Sequence, residues 1–361
     1  MNVIVSAGGT GGHIYPALSI INKFKEKEKN LNVLYIGTHN RMEKEIVPKL
    51  GIRYEEIEIY GFSKKLIFRD IKNIFLILKA IKKCKKIMKE FKPDIVIGVG
   101  GYVTMPVLSA AKSLGIKTAI HEQNSIPGKS NKYVSKGTDL TFVSYENSIK
   151  YFDKSKKVVF SGNPCGENAL TTKEITKESL GLSKNKKLLV IVAGSLGSNT
   201  INEFFANYLK LLNGKENYEV LYITGKDYYD DFVNSHKFAK NVKIIPFLDN
   251  LAGLLKNTNL IISRAGAGTL AEILALNLPS ILIPSPYVAN NHQYYNALDL
   301  KKKKVSVMIE EKDLNAKKLH EIVDNLLSYG NKDYTKMKTN LEKLDMKNAS
   351  TIIYDNIKEI L

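Results

Sequence analysis

The first strand and the turn after it decide the fold: residues 3–18 have the sequence VIVSAGGTGGHIYPAL. Residues 3–5 are apolar and suit a buried strand, the four glycines of residues 8–12 suit a tight turn, and the apolar periodicity that follows suits a helix. A strand, a glycine-rich turn and a helix in this order favour an anion bound by backbone N–H groups and the helix dipole. The alternative is a turn that needs its glycines for conformation alone.

Further short apolar runs follow along the chain, separated by amphipathic or turn-rich stretches. They fall at 33–36, 95–97, 118–120 and 140–143, and then at 188–192, 218–223, 242–245, 260–262 and 281–283. Near-continuous apolar strands are typical of parallel sheets that helices cover on both faces. A break at 161–165 predicts two α/β domains, 1–160 and 161–345, each with a doubly wound parallel sheet. A C-terminal helix, about 346–361, is expected to follow and is able to cross back to the first domain.

Composition places the chain among ordinary globular proteins. It has 361 residues, 44% of them hydrophobic and 25% charged, which argues against disordered and fibrous classes. Only Cys84 and Cys165 are cysteines, so a disulfide scaffold is excluded and a reducing compartment is expected. The chain has no run of about 20 apolar residues and no basic region at its start, so neither a membrane span nor a signal peptide is expected.

The net charge of +18 is concentrated in one segment. Residues 64–92 hold eleven basic and two acidic residues, which is half of that charge. On a helical wheel the apolar residues form a stripe that lysines flank, and this pattern predicts a helix that lies on an anionic bilayer. The residues assigned to this contact are Phe68, Ile71, Lys72, Phe75, Leu78, Lys79 and Lys82. The alternative is a core helix with a solvated lysine face; nucleic acid is disfavoured because a stacking platform and a groove-reading motif are both missing.

Two more glycine-rich turns, 194–199 and 264–269, also separate a strand from a helix. The first is a second candidate phosphate site or a helix cap, and Glu272 is placed in the first turn of the helix after the second. There a carboxylate suits the helix dipole or accepts hydrogen bonds from a sugar diol. Such turns at the strand ends of both domains predict a ligand between the domains and suggest a nucleotide-sugar enzyme. A dinucleotide oxidoreductase is disfavoured, because residues 8–13 lack G-x-G-x-x-G spacing and residues 37–40 lack the acidic residue.

In collinear order, motifs of both halves resemble the MurG family of cytoplasmic peptidoglycan glycosyltransferases. The matching stretches are 8–18, 100–106, 121–124, 162–164, 263–272, 279–286 and 291–297. The resemblance covers nearly the whole chain. It implies the GT-B fold, with two Rossmann-like domains that face a cleft. It also implies inverting transfer of N-acetylglucosamine from UDP-GlcNAc to lipid I (undecaprenyl-pyrophosphoryl-MurNAc-pentapeptide), peripherally, at the cytoplasmic face of the membrane.

The resemblance also implies roles for individual residues. The donor set is Thr10, Gly11, Gly12, Asn124, Ser195, Leu248, Ala267, Gly268, Thr269, Glu272, Gln293 and Asn296. Within it Ser195 meets phosphate, Leu248 uracil and Glu272 ribose, whereas Gln293 and Asn296 reach the sugar. The acceptor set is Tyr102, His121 and Glu122. Two departures from the family pattern stand out: Leu196 replaces a glutamine, and Gly166 stands where the family has an arginine after G-N-P-V.

Transfer to a sugar hydroxyl needs a base and stabilisation of the leaving pyrophosphate. His13 at a helix N-terminus, where the dipole disfavours its charged form, is the candidate base, and Glu122 is the rival. Either side chain has a purely structural alternative. Glycine-loop amides are able to stabilise the leaving group, and since no D-x-D pair follows a strand, neither a metal nor another cofactor is required. The competing functions are another UDP-sugar enzyme, such as a lipid glucosyltransferase or a UDP-GlcNAc 2-epimerase, and a non-catalytic nucleotide-binding protein at the membrane surface.

Overall fold

The computed structural model describes residues 1–61, 67–192 and 199–361, and for 67–72 and 199 it describes the backbone alone. The chain divides into two compact units. Unit 1 comprises residues 1–165 and 348–361, and unit 2 comprises residues 166–347.

Unit 1 is built on a parallel sheet. Its strands are β1 (Asn2–Ser6), β2 (Asn32–Thr38), β3 (Arg53–Ile57), β4 (Ile95–Gly98), β5 (Lys117–Glu122), β6 (Leu140–Val143) and β7 (Lys157–Phe160). They are ordered β3-β2-β1-β4-β5-β6-β7. The order reverses between β1 and β4, which pair in parallel with Val3 opposite Ile95. Ligands of open α/β sheets bind at the carboxyl ends of the strands beside such a reversal.

Helices cover both faces of this sheet. They include α1 (Gly11–Lys27), α2 (Glu43–Lys49), α3 (Ile67–Phe91), α4 (Thr104–Ser113) and α5 (Lys129–Val134). Alternation along β1 separates two cores: Val3 and Val5 pack with α1, whereas Ile4 packs with α3 and α4. The apolar strand sequence is therefore explained by burial on both faces.

Unit 2 repeats the same architecture. Its strands are β8 (Lys187–Val192), β9 (Tyr218–Ile223), β10 (Val242–Ile245), β11 (Leu260–Ser263), β12 (Ser280–Leu282) and β13 (Ser306–Met308). All pair in parallel, in the order β10-β9-β8-β11-β12-β13, with the reversal between β8 and β11. Its helices are α6 (Cys165–Thr171), α7 (Asn199–Leu209), α8 (Tyr229–Ser235), α9 (Leu251–Leu255), α10 (Ala267–Ala275), α11 (His292–Lys302), α12 (Ala316–Leu327) and α13 (Lys332–Leu344).

The last helix, α14 (Ala349–Ile360), belongs to unit 1 and packs on α1. Ile353 and Ile357 are fully buried in the α1 core. The Tyr354 hydroxyl donates to the Glu28 carboxylate over 2.6 Å, and the Tyr354 ring meets Phe24 edge to face at 5.1 Å. Apolar contact and a charged hydrogen bond together fix the end of the chain to its beginning.

The prediction of two doubly wound parallel sheets is confirmed. The runs noted in the sequence missed β3, β7 and β13, and each of these strands lies at the edge of its sheet. Edge strands are half-exposed and carry polar residues, so their apolar signal is weak. Among the described residues, no helix combines the length and the apolar character needed to cross a bilayer.

Candidate active site

The first glycine-rich turn joins β1 to α1 at the sheet reversal of unit 1. Thr10 is the N-cap of α1, with extended backbone, and its carbonyl accepts from the N–H groups of His13 and Ile14 at 3.1 and 3.2 Å. Gly9 has a φ of +92°, a conformation that favours glycine. Gly11 and Gly12 form the first turn of α1. The loop therefore presents backbone N–H groups at a helix N-terminus, as the sequence predicts.

A second glycine-rich turn packs directly against the first. Gly8 N–H donates to the carbonyl of Gly100 over 3.2 Å. A Cβ at Gly101 would lie 2.3 Å from the Gly8 carbonyl oxygen, and one at Gly100 would lie 2.5 Å from the ring of His13. Both glycines also have positive φ, at +108° and +88°. These two glycines are therefore required by close backbone approach, and they hold the His13 ring between the two turns.

His13 is the third residue of α1 and is partly exposed. Its Nδ1 lies 3.0 Å from the Gly8 carbonyl, which is able only to accept, so the neutral ring carries its proton on Nδ1. The other nitrogen, Nε2, is then the one with a lone pair. This tautomer suits the base assigned to His13 from the sequence.

Glu43, which the sequence analysis did not single out, holds the first turn in place. It is fully buried at the start of α2. Its carboxylate accepts from the N–H and hydroxyl of Thr38, at 3.1 and 2.6 Å, and from the N–H of Gly9 at 3.2 Å. It thereby ties the end of β2 to the glycine turn. No short sequence pattern marks this role, because Gly9 lies 34 residues away in the chain.

Glu122 is buried at the end of β5, where both carboxylate oxygens are occupied. Oε1 accepts from the N–H of Asn124 at 2.9 Å, and Oε2 accepts from the N–H of Gly128 and the amide of Asn131 at 3.0 and 2.9 Å. The carboxylate braces the loop that carries Asn124. Its role as rival base or acceptor ligand stays a prediction, and in this structure both oxygens are engaged by the loop.

His121 has no exposed surface. Its Nε2 donates to the Gly162 carbonyl over 2.9 Å, and its Nδ1 accepts from the amide of Gln123 at 3.0 Å. Burial lowers the pKa of His121 to about 4, against an opposing effect of the Gly162 bond. The ring supports the end of β5 through these two bonds, and the contact between His121 and an acceptor stays a prediction. Tyr102, in contrast, is partly exposed beside the second glycine turn.

In unit 2, a cavity of about 440 Å³ opens at the carboxyl ends of the central strands. Its walls include Leu248, Thr269 and Glu272, so the structure brings together three of the residues assigned to the donor. Asn168, Phe247 and Asp249 also line it and were not predicted. The Lys226 ammonium lies 4.7 Å from the centre of the Phe247 ring. Apolar walls with a few polar groups are typical of a small-molecule site.

Glu272 is the carboxylate of this cavity, but its place on the helix differs from the expectation. Helix α10 begins at Ala267 with Gly266 as N-cap, so Glu272 lies in the second turn, not the first. The helix dipole decays within one turn and does not explain a carboxylate there. Burial alone raises the pKa of Glu272 to about 7. A ligand that donates hydrogen bonds would compensate this burial.

The other predicted donor residues of unit 2 lie around the same strand ends. Ala267 and Gly268 open α10, where the N-cap Gly266 has no side chain to cap the helix. Gln293 accepts from the N–H of Ser285 at 2.9 Å. Asn296 is fully buried and donates to the Ala265 carbonyl over 3.3 Å, so it supports the glycine turn, and its contact with the donor sugar stays a prediction.

The exposed face of α3 is apolar where the sequence predicts a membrane contact. Ile74, Phe75 and Leu78 are 51%, 68% and 59% exposed. Lys79 and Lys82 are exposed beside them. The helix buries a different face, formed by residues such as Ile77, Ala80 and Cys84. The assigned side chains of Phe68, Ile71 and Lys72 lie outside the described residues.

Comparison with known proteins identifies the family. Residues 3–143 match the glycosyltransferase family 28 N-terminal domain, and residues 188–352 match the C-terminal domain of the same family. The chain belongs to glycosyltransferase family 28.

Curated relatives and solved structures agree with this family 28 assignment. The chain is 42% identical, over the full length of both proteins, to a Bacillus cytotoxicus protein named UDP-N-acetylglucosamine--N-acetylmuramyl-(pentapeptide) pyrophosphoryl-undecaprenol N-acetylglucosamine transferase. A Halalkalibacterium halodurans protein of the same name is 45% identical over 91% of each chain. The crystal structure of Acinetobacter baumannii MurG matches 99% of both chains with a TM-score of 0.80 and 27% identity. The resemblance to the MurG family and the GT-B fold are thus confirmed.

A more distant match shares the fold alone. It is UDP-GlcNAc 2-epimerase from Neisseria meningitidis bound to UDP-GlcNAc, with 16% identity and a TM-score of 0.68.

Packing explains one departure of this family 28 chain from the family pattern. A Cβ at Gly166 would lie 2.8 Å from the Ala271 carbonyl and 3.0 Å from the Ala275 Cβ. Helix α6 therefore packs too closely on α10 for the family's arginine. The other departure, Leu196, and the predicted phosphate ligand Ser195 lie outside the described residues, which resume at Asn199.

Proposed function

We propose that this chain transfers N-acetylglucosamine from UDP-GlcNAc to lipid I, with inversion at the anomeric carbon, to form lipid II. The observation that best supports this proposal is the 42% identity, over the full length of both proteins, with a relative whose name states this transfer. Such coverage includes both units, so donor-binding and acceptor-binding parts are present together.

Unit 2 binds the donor in this proposal. The cavity beside Leu248 has apolar walls that suit a flat base. Glu272 lines the same cavity, and its carboxylate is largely buried. Ribose hydroxyls donate hydrogen bonds to that carboxylate and compensate its desolvation. The N-terminus of α10, at Ala267–Thr269, supplies N–H groups and a dipole for the leaving pyrophosphate.

Unit 1 supplies the base and binds the acceptor. Nε2 of His13 accepts the proton of the acceptor hydroxyl as its oxygen attacks the anomeric carbon, and UDP leaves with the electrons of the broken bond. The Nδ1 bond to Gly8 holds the ring in the required tautomer. Thr10, Gly11 and Gly12 provide polar backbone beside this histidine.

We also propose that unit 1 attaches peripherally to the cytoplasmic face of the membrane through α3. The exposed triad Ile74, Phe75 and Leu78 inserts among lipid chains, and Lys79 and Lys82 contact anionic headgroups. A lipid-linked acceptor requires such an approach to the bilayer.

UDP release from UDP-GlcNAc, measured with and without a soluble lipid I analogue, tests the proposed reaction. We expect release that depends on the analogue and a product that has gained one N-acetylglucosamine. Donor consumption without acceptor would instead indicate an epimerase or hydrolase. UDP binding without turnover in either condition would indicate a nucleotide-binding protein that is not an enzyme.

A further inference from the structure

Arg41 is an exposed cation at the carboxyl ends of the unit 1 strands. It follows β2, and its Nε donates to the hydroxyl of Tyr102, which follows β4, over 3.4 Å. β2 and β4 are the two neighbours of β1 in the sheet, so the pair spans the end of the strand that carries the first glycine turn. Neither the sequence motifs nor the relatives' names assign a role to Arg41.

Both members of this pair are anchored to the turn that holds His13. Arg41 precedes by two residues the buried Glu43, whose carboxylate accepts from the Gly9 N–H. Tyr102 follows Gly101, whose backbone lies against Gly8. Arg41 is therefore connected to the turn of the candidate base on two sides, by its chain neighbour Glu43 and by the Tyr102 hydroxyl.

Among the described residues Arg41 forms no close ion pair, although the Tyr102 hydrogen bond and, more weakly, the Glu43 carboxylate raise the pKa of its guanidinium. In the described parts of the chain, no carboxylate lies within 4 Å of its guanidinium. The nearby Lys44 differs, because it pairs with Glu56 at 2.9 Å. An arginine held by a neutral hydroxyl retains most of its N–H donors for a ligand, and its planar fork matches phosphate oxygens.

We propose that Arg41, oriented by Tyr102, binds a phosphate oxygen of the acceptor's pyrophosphate. The inference rests on the proposed function, in which the acceptor sugar is joined to its lipid through a pyrophosphate, as the relatives' names state. The sugar hydroxyl must reach His13 while the pyrophosphate extends from the same sugar, so a cation anchored to the same turn is suitably placed. Arg41 thereby selects acceptors by the charge of their linkage.

The test compares two soluble acceptors with the same sugar and peptide, one with a pyrophosphate and one with an uncharged linker of similar length. For R41Q we expect kcat/KM with the pyrophosphate acceptor to fall about 10- to 100-fold, the effect of losing a charged hydrogen bond. The value with the uncharged acceptor, already low in the parent protein, should not fall further. R41K should recover part of the loss, because it restores the charge without the fork.

R53Q is the matched control, since Arg53 is an exposed arginine at the amino end of β3 and should leave both values unchanged. An equal loss with both acceptors would show that Arg41 merely supports the fold, and no loss with the pyrophosphate acceptor would also overturn the proposal. Failure of the proposed function is distinguishable, because the parent protein would then transfer no sugar to the pyrophosphate acceptor.

Discussion

The Nε2 atom of His121 and the carbonyl oxygen of Gly162 are 2.9 Å apart, and this bond joins the end of β5 to the segment after β7. The carbonyl only accepts, and the amide of Gln123 donates to Nδ1, so the buried ring is neutral in a single tautomer. Protonation of Nδ1 would place a second N–H donor against the amide N–H of Gln123, and the two donors would repel each other. The structure thus tolerates only the neutral form of His121.

Stability of unit 1 should therefore fall in mild acid. The unfolded chain protonates His121 near the ordinary pKa of 6.5, whereas the folded chain does so only near 4. Between these values the unfolded state binds more protons, so the free energy of unfolding falls by about 2 kcal/mol from pH 7 to pH 5. H121Q keeps a donor for Gly162 but does not titrate. Calorimetry at both pH values should show a smaller loss for H121Q than for the parent protein.

H236Q, in unit 2, is the control and should retain the parent's acid sensitivity. The same loss in H121Q and the parent protein would remove His121 as its cause.

Donor binding should depend on pH through Glu272. Burial raises the pKa of Glu272 to about 7, and only its ionised form accepts hydrogen bonds from ribose with both oxygens. Below pH 7 that form becomes scarce, so the dissociation constant of UDP-GlcNAc should rise about tenfold from pH 8 to pH 6. E272Q and E272A should bind more weakly at pH 8, and neither should show this pH dependence. Isothermal titration measures both effects.

Asp249 lines the same cavity, so D249N is the matched control and should keep the pH dependence. If the parent protein binds UDP-GlcNAc with the same dissociation constant from pH 6 to pH 8, or if E272A binds it as tightly as the parent, Glu272 does not contact the donor.

Replacement of His13 should lower turnover but not donor affinity. A general base contributes about 10² to 10⁴ in rate, so H13A should lose at least about 10² in kcat. H13N keeps an N–H near the Gly8 carbonyl and separates loss of the base from loss of the loop contact. Steady-state kinetics and donor titration of both variants provide the measurement. A loss confined to donor affinity would make His13 a binding residue.

The fold was predictable where burial is two-sided. Central strands such as β1, β4 and β11 each contain three consecutive apolar residues, because helices cover both faces of the sheets. The edge strand β3 has the sequence RYEEI and shows no such run. Its position is set by pairing with β2, an interaction between distant residues that no short window contains.

The candidate site was predictable for backbone loops and less so for side chains. Glycine-rich turns are recognisable in the sequence, because positive φ angles and close approach of two backbone segments leave few residues other than glycine possible. Burial decides whether a polar side chain meets ligand or protein, and it depends on the whole fold. The resemblance assigns His121, Glu122 and Asn296 to ligands, whereas their burial and protein partners are visible only in the fold. Glu43 has no motif that marks it.

The exposed triad of α3 gives the last prediction. Its apolar residues are exposed among the described residues, and exposed lysines adjoin them, so the chain should co-sediment with anionic vesicles and be released as salt rises. Each lysine near an anionic surface contributes about 1 kcal/mol, and the apolar side chains contribute by burial among lipid chains. Either F75S/L78S or K79E/K82E should abolish most of the bound fraction, without a change in UDP-GlcNAc affinity, because the donor is assigned to unit 2. Lys89 is an exposed lysine near the end of the same helix, and K89E should reduce binding far less. Equal sedimentation with neutral and anionic vesicles, or none by the parent protein, would show that this face of α3 serves no membrane contact.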